Sequence, residues 1–272
     1  MSSTPMRNPP NGGKEPALSN TERSEVSSKE PALSNTERSE VSSKGAYVRE
    51  MFATIAPRYD LANRVLTGGL DETWRRRAIR LLAPVPNARI LDLCCGTGDL
   101  AFGLLRADRT LDVTGVDFCH PMLQRAHERA AGKARGSIRF VEGDVMAMPF
   151  DDAAFDGATM GFSLRNVVDV DATLREILRV LRPGARFVSL DVTKARNRAF
   201  KRLFDCYFYG LVPLLGGIVG GSRAAYTYLP NSLTHHPNAD ELRERFGRAG
   251  FAQPGYVRLM GGAIAIHYGV KP

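Results

Sequence analysis

From Ala88 onward, short apolar runs alternate with stretches in which apolar residues recur every three or four positions. The apolar runs predict strands over Arg89–Leu93, Leu111–Asp117, Ile138–Glu142, Ala154–Gly161 and Arg186–Asp191. Between them the helical period predicts helices over Leu100–Arg106 and Pro121–Ala131. A further helix is capped by Asp171 and carries Leu174, Ile177, Leu178 and Leu181 on one face, with Pro183-Gly184 as its stop. Such alternation builds a parallel sheet with helices on both faces. The pattern then changes. A helix over Asp240–Ala249, closed by Gly250, is followed by strands Pro254–Leu259 and Ala263–Tyr268. Only Met260-Gly261-Gly262 separates these strands, too little chain for a crossover helix, so they must pair antiparallel.

The N-terminal segment has neither period. Residues 14–28 read KEPALSNTERSEVSS and residues 29–43 repeat it, each copy offering one Ala, one Leu and one Val. So little apolar surface does not offset the entropy of ordering the chain. Residues 1–44 are therefore expected to be a disordered tail, and residues 45–272 a single domain. The six Lys and Arg of the tail cancel its six Glu, which places the whole net charge of +8 on the folded part. That charge suits an anionic membrane surface or an anionic substrate. No RNA-binding signature or zinc-finger spacing accompanies it, so nucleic acid is not expected. Cys94, Cys95, Cys119 and Cys206 show neither metal-ligand nor disulfide spacing, and no metal is expected. With no apolar leader core, a cytoplasmic protein is expected. No run of about 18 uncharged apolar residues occurs, so no spanning helix is expected either.

The candidate chemistry begins where the strand Arg89–Leu93 enters Asp92-Leu93-Cys94-Cys95-Gly96-Thr97-Gly98-Asp99. Two glycines between a strand and a helix let the backbone approach a ligand closely. Dinucleotide sites use such a loop too, and Ala101, at the place of their third glycine, leaves that choice open. Asp92 and Asp99 favour a cation: a pyrophosphate beside two carboxylates is repelled, whereas S-adenosylmethionine carries an ammonium and a sulfonium. Asp99 could equally be the N-cap of the next helix. Asp117, ending the second strand, is placed to accept ribose hydroxyls, or to cap the Pro121 helix. Asp144-Val145, after the third strand, offers a carboxylate to an adenine amino group and a backbone N–H to a ring nitrogen. Met146 and Met148 could flank that ring or fill the core.

Four segments carry a resemblance over Val48 to the C-terminus. They are Phe52-Ala53-Thr54-Ile55-Ala56-Pro57-Arg58-Tyr59-Asp60-Leu61-Ala62-Asn63, then Leu66-Thr67-Gly68-Gly69-Leu70 with Trp74-Arg75, then Gly161-Phe162-Ser163-Leu164-Arg165-Asn166-Val167, and last Ala265-Ile266-His267-Tyr268-Gly269. Together they resemble the methyltransferases of ubiquinone and menaquinone biosynthesis. The resemblance implies the class I S-adenosylmethionine-dependent methyltransferase fold, an α/β Rossmann-like architecture with seven strands, mostly parallel, and an antiparallel C-terminal hairpin. It implies donor contacts at Thr97, Asp117, Asp144 and Val145, which join Asp92 and Gly96 read from the loop itself; where many members have a serine contacting the donor this chain has Gly161, whose backbone could still serve. It also implies methylation of a ring carbon of a quinol with an isoprenoid tail, with Tyr59, Arg165 and Asn166 at the reacting centre. The Ile55–Asp60 form is similar to the menaquinone-only members, which points to a demethylated menaquinol. A ubiquinone-pathway benzoquinol or another small aromatic acceptor stays open.

The reaction so implied needs a base, and Arg165 stays protonated. His236 and His267 are the titratable candidates, each of which could equally be a structural histidine. The Tyr59-Asp60 segment is expected to fold over the donor and exclude water. An insertion at about 195–235 contains the apolar stretch Phe204–Gly221, broken by Pro213 and glycines. It is expected to cover the acceptor and to touch a membrane surface or a second copy in a homodimer, with Arg196, Arg198, Lys201 and Arg202 meeting anionic lipid.

Overall fold

Strands β1 (Arg89–Leu93), β2 (Asp112–Asp117), β3 (Ser137–Glu142), β4 (Phe155–Gly161) and β5 (Leu181–Val192) run parallel. β7 (Ile264–Val270) pairs antiparallel with both β5 and β6 (Ala252–Leu259), giving the order β3-β2-β1-β4-β5-β7-β6. The computed structural model describes residues 35–133, 136–195 and 198–272. The chain forms two units, Met1–Glu40 and Val41–Pro272, and the second holds the sheet.

Strand alternation puts Ile90, Val113, Val188 and Ile266 on one face, packed with Ile79, Leu104 and Met122. Leu91, Leu93, Val116 and Phe187 take the other, with Leu174, Ile177 and Phe246. Burial on both faces explains why these strands read as continuous apolar runs. Because β1 has β2 on one side and β4 on the other, the winding reverses there. Such a switch point opens a crevice beyond the strand ends.

Helix α1 (Asn35–Ile55) takes in residues 35–44, which composition assigned to a tail. The helical pattern persists because Val48, Met51 and Ile55 follow at helical spacing and are buried. The first repeat copy lies outside the described residues. α1 is followed by α2 (Tyr59–Thr67) and α3 (Leu70–Leu82), joined through Gly68 and Gly69, both at positive φ. α4 (Asp99–Ala107) and α5 (His120–Lys133) connect the first strands. In α6 (Val170–Val180) the cap is Asp169, not Asp171: its side chain accepts from the N–H groups of Asp171 and Ala172. Asp171 pairs instead with Arg245 at 2.7 Å. Leu181 already begins β5, so Pro183-Gly184 lies within that strand rather than stopping the helix.

The insertion folds as α7 (Arg198–Asp205), a π-helical turn (Cys206–Leu211), α8 (Val212–Gly220) and α9 (Arg223–His235), before α10 (Ala239–Arg248). Pro213 stands in the first turn of α8, where its missing N–H costs nothing. The helical run is therefore less broken than its composition implied. Phe200–Gly220, 21 residues with mean hydropathy 1.5, is long and apolar enough to cross a membrane by length and composition alone. In this fold α8 packs against α2 and α9.

Candidate active site

The turn from β1 into α4 is built from backbone few residues adopt: Cys94, Gly96 and Gly98 all have positive φ, at 47°, 54° and 89°. At Gly98 a Cβ would stand 2.9 Å from the Phe102 ring, whereas at Gly96 it would meet nothing, because the residue faces open space. Gly98 is the N-cap of α4 and has no side chain to satisfy the helix's free N–H groups. Asp92 does so from the strand below, accepting from Ala101 N–H at 3.0 Å and from the Thr159 hydroxyl at 2.9 Å. Its burial raises the carboxyl pKa to about 7. Asp99 is not the cap. It is the first residue of α4 and pairs with Arg129 at 2.8 Å and Arg75 at 3.3 Å.

A cavity of about 360 Å³ opens at the strand ends, and Tyr59, Gly96, Asp117, Asp144, Val145 and Asn166 all line it. Asp117 accepts from Gly96 N–H and from Cys119 N–H, both at 2.8 Å. The carboxylate keeps acceptor capacity for a ligand, and burial pushes its pKa up to about 6. Asp144 accepts from Met146 N–H at 2.9 Å. Met146 lines the cavity while Met148 is in the core, so the two methionines divide the roles left open for them. Asn166 holds Phe162 O with its amide at 3.4 Å, and its Oδ1 is buried without a partner.

Asp92, Thr97 and Gly161 line an adjoining crevice with Tyr59, Arg75 and Asp99. The Thr97 hydroxyl turns away, donating to Asp60 at 2.5 Å, and its carbonyl accepts from Arg129 at 2.8 Å. At Gly161 a Cβ would stand 2.8 Å from the terminal methyl of Leu100, so a serine there requires the Leu100 side chain to shift. Ser163, two residues on, lines the first cavity and donates to Gly161 O at 3.0 Å.

The second cavity, about 430 Å³, is mostly apolar and shares Phe52 and Tyr59 with the first. Trp74, Phe162, Phe204, Phe208 and Leu229 line it, and Arg165 reaches it from the loop after β4. Arg165 forms a buried ion pair with Asp191 and donates to Phe162 O at 2.7 Å, leaving Nε unpartnered. Burial raises the pKa of Tyr59. His236 and His267 line neither cavity. Both are buried and desolvation lowers their pKa, that of His267 to about 4. His267 donates from Nε2 to Ala239 O, 2.9 Å away, and packs on Phe246 and Tyr256.

Sequence reasoning missed an ion ladder across this site. Asp60 meets Arg129 at 3.1 Å, Arg129 meets Asp99, Asp99 meets Arg75, and Arg75 pairs with Asp71. It ties α2 and α3 to the glycine loop and α5. No spacing signal marks it, because its members come from four helices.

The ubiE/COQ5 methyltransferase family matches residues 40–271. The chain belongs to that family. Among its relatives, a demethylmenaquinone methyltransferase of Thermus thermophilus is 44% identical over 223 residues, covering 82% of this chain and all of that one. One of the same name from Desulfitobacterium hafniense is 41% identical, covering 84% and 90%. The ubiquinone/menaquinone biosynthesis C-methyltransferase UbiE of Geotalea daltonii is 38% identical, covering 84% and 97%. Among solved structures, an S-adenosylmethionine-dependent methyltransferase of Thermotoga maritima superposes with a TM-score of 0.58 at 18% identity, over 82% of this chain and 99% of that one. The phosphoethanolamine N-methyltransferase 2 of Haemonchus contortus, solved with S-adenosyl-L-methionine, gives 0.53 at 16% over 73% and 52%. The ubiE/COQ5 family thus supplies the sequence kinship, and the more distant methyltransferases the shared fold.

Proposed function

We propose that this member of the family is an S-adenosylmethionine-dependent C-methyltransferase that converts demethylmenaquinol to menaquinol. The observation that carries the reading is the meeting of two cavities at Tyr59, one bordered by the glycine loop and the carboxylates of Asp117 and Asp144, the other lined more heavily by apolar side chains. The first fits the donor's chemistry: Asp117 has free lone pairs for ribose hydroxyls, and Asp144 with Val145 and Met146 frames an adenine. S-adenosylmethionine supplies a methyl group already activated on sulfonium. The acceptor's ring carbon is the weaker partner, and a phenolate oxygen beside it raises its electron density.

Arg165 stabilises that oxygen through the unpartnered Nε, while Asp191 fixes the guanidinium. Asn166 orients the reacting groups from the donor side through its free Oδ1, and Tyr59 holds the junction between the two rings. The Trp74 and Phe162 rings, 6.3 Å apart, flank the apolar slot. α1 to α3 exclude water from above, clasped by the Asp60–Arg129 pair. The tail of the quinol leaves the larger cavity toward an apolar face of α2 and α8, where the enzyme docks peripherally on a membrane.

A methyl-transfer assay offering demethylmenaquinol and a ubiquinol precursor in parallel tests the substrate. Transfer to demethylmenaquinol is expected at the higher rate. Equal rates would widen the substrate range to that of the dual-named relatives, and transfer to neither would overturn the quinol reading.

A further inference from the structure

Among the described residues, the larger cavity presents five titratable side chains: Tyr59, Asp71, Arg75, Arg165 and Tyr207. The two guanidiniums hold their protons. Tyr59 and Tyr207 are phenols whose pKa burial raises, so neither is anionic near neutrality, and Tyr207 spends its proton on Leu66 O. Neither buried histidine reaches the cavity. Asp71 is left. It lies buried in the first turn of α3, its Oδ1 accepting from the Thr67 hydroxyl at 2.8 Å and its Oδ2 from Arg75. Each oxygen retains a lone pair. Arg75 reaches from Asp71 to Asp99 at the foot of the glycine loop, so a single guanidinium separates this carboxylate from the donor crevice.

We propose that Asp71 receives the proton of the acceptor's ring hydroxyl. The proposal rests on the reading that the larger cavity holds the quinol. The O–H proton passes to the Asp71 carboxylate, and the freed electron pair strengthens the ring carbon beside it. That carbon bonds to the methyl group as the sulfur–methyl bond breaks, its electron pair remaining on sulfur as a thioether. The hydrogen displaced at the methylated carbon then leaves as a proton, its electrons restoring the aromatic ring, and the oxygen regains a proton. One proton is released per turnover. The charged and titratable groups around Asp71 are Arg75 on its own helix, Asp99 of α4 through Arg75, Tyr59 of α2, Arg165 from the loop after β4, and Tyr207 of the π-helical turn.

The test is the pH dependence of methyl transfer to demethylmenaquinol in the full-length protein and in Asp71→Asn and Asp71→Glu, with S-adenosylhomocysteine binding and thermal melting in parallel. Asp71→Asn keeps the size and the Thr67 contact. It is expected to lower kcat by about 10²–10⁴-fold, the range for loss of a general base, and to lose the decline in rate on the acid side. Asp71→Glu is expected to keep that decline with a moved midpoint. An Asn variant that retains most of the rate, or the wild-type acid decline, overturns the proposal. If the Asn variant does not fold, an unmoved midpoint in the Glu variant overturns it. Wild-type protein that leaves demethylmenaquinol unmethylated overturns the substrate reading instead.

Discussion

The buried carboxylates Asp92 and Asp117 hold their protons more tightly than a solvated aspartate, to about pH 7 and about pH 6, because burial disfavours their charge. The folded protein therefore keeps protons that the unfolded chain has released above pH 3.8, and loses stability as pH rises through that window. Each tenfold difference in proton affinity is worth about 1.4 kcal/mol. His267 works in the opposite direction, but only below pH 6.5, where the unfolded chain binds the proton that the fold refuses. A cationic donor in the crevice beside Asp92 favours the ionised carboxyl. Binding of S-adenosylmethionine at pH 7 should thus release a fraction of a proton, seen by calorimetry in buffers of different ionisation enthalpy. Asp92→Asn, which can still satisfy Ala101 and Thr159, should abolish the release. An unchanged release in that variant would exclude Asp92 as its source. Asp92 and Asp117 stood out in the sequence because Asp92 lies just ahead of the glycine loop, one residue before the end of β1, and Asp117 closes β2. The Thr97 contact with Asp60 was not, since a hydroxyl's direction depends on α2, which the loop's own sequence does not specify.

Helices α8 and α9 meet through glycine. A Cβ at Gly216 or Gly220 would overlap the fully buried Tyr226 ring, so the close approach of the two helices depends on its absence. Gly216→Ala should force the ring or α8 to move, at a cost of about 1–3 kcal/mol as for other overpacked sites. Gly210→Ala, in the π-helical turn with nothing near its Cβ position, should be neutral or slightly stabilising. Thermal melts of the two variants check this, and equal midpoints would remove glycine packing as the reason for the close contact. Periodicity predicted the strands and the long helices because each buries a regular face. It misplaced the α6 cap by two residues, since Asp169 and Asp171 are chemically identical and only backbone geometry separates them. It also read Pro213 as a break, because sequence does not show that a π turn realigns the chain just before it. Asp71 escaped notice, and Arg75 was marked only as part of a family segment, for a related reason: they sit one helical turn apart, as many surface ion pairs do, and only the placement of α3 over the crevice makes them part of a site.

Across the whole molecule, apolar exposure gathers around the mouth of the larger cavity. Val65, Leu70 and Met260 line that cavity and are also exposed, and α8, packed against α2, presents Leu214 and Ile218 at 53% and 69% exposure. A quinol tail leaving the mouth emerges among these side chains rather than into water. The chain's net charge of +8 attracts an anionic surface over about a Debye length, and the apolar residues then add area-dependent affinity. Lys201 and Arg202 are exposed at the start of the same helical run, although Lys201 is paired with Asp205; Arg196 lies outside the described residues. The protein should therefore float with anionic vesicles and dissociate as salt rises. A Leu214→Asp, Ile218→Asp double variant should lose flotation with little change in melting temperature, because both side chains are more than half exposed. It should still methylate a short-tailed acceptor in solution, which separates docking from chemistry. Should the wild type fail to float, with the double variant shifting it from dimer to monomer on size exclusion, the face is covered by a second copy. The tail must then enter between protomers, and membrane docking is ruled out for this surface.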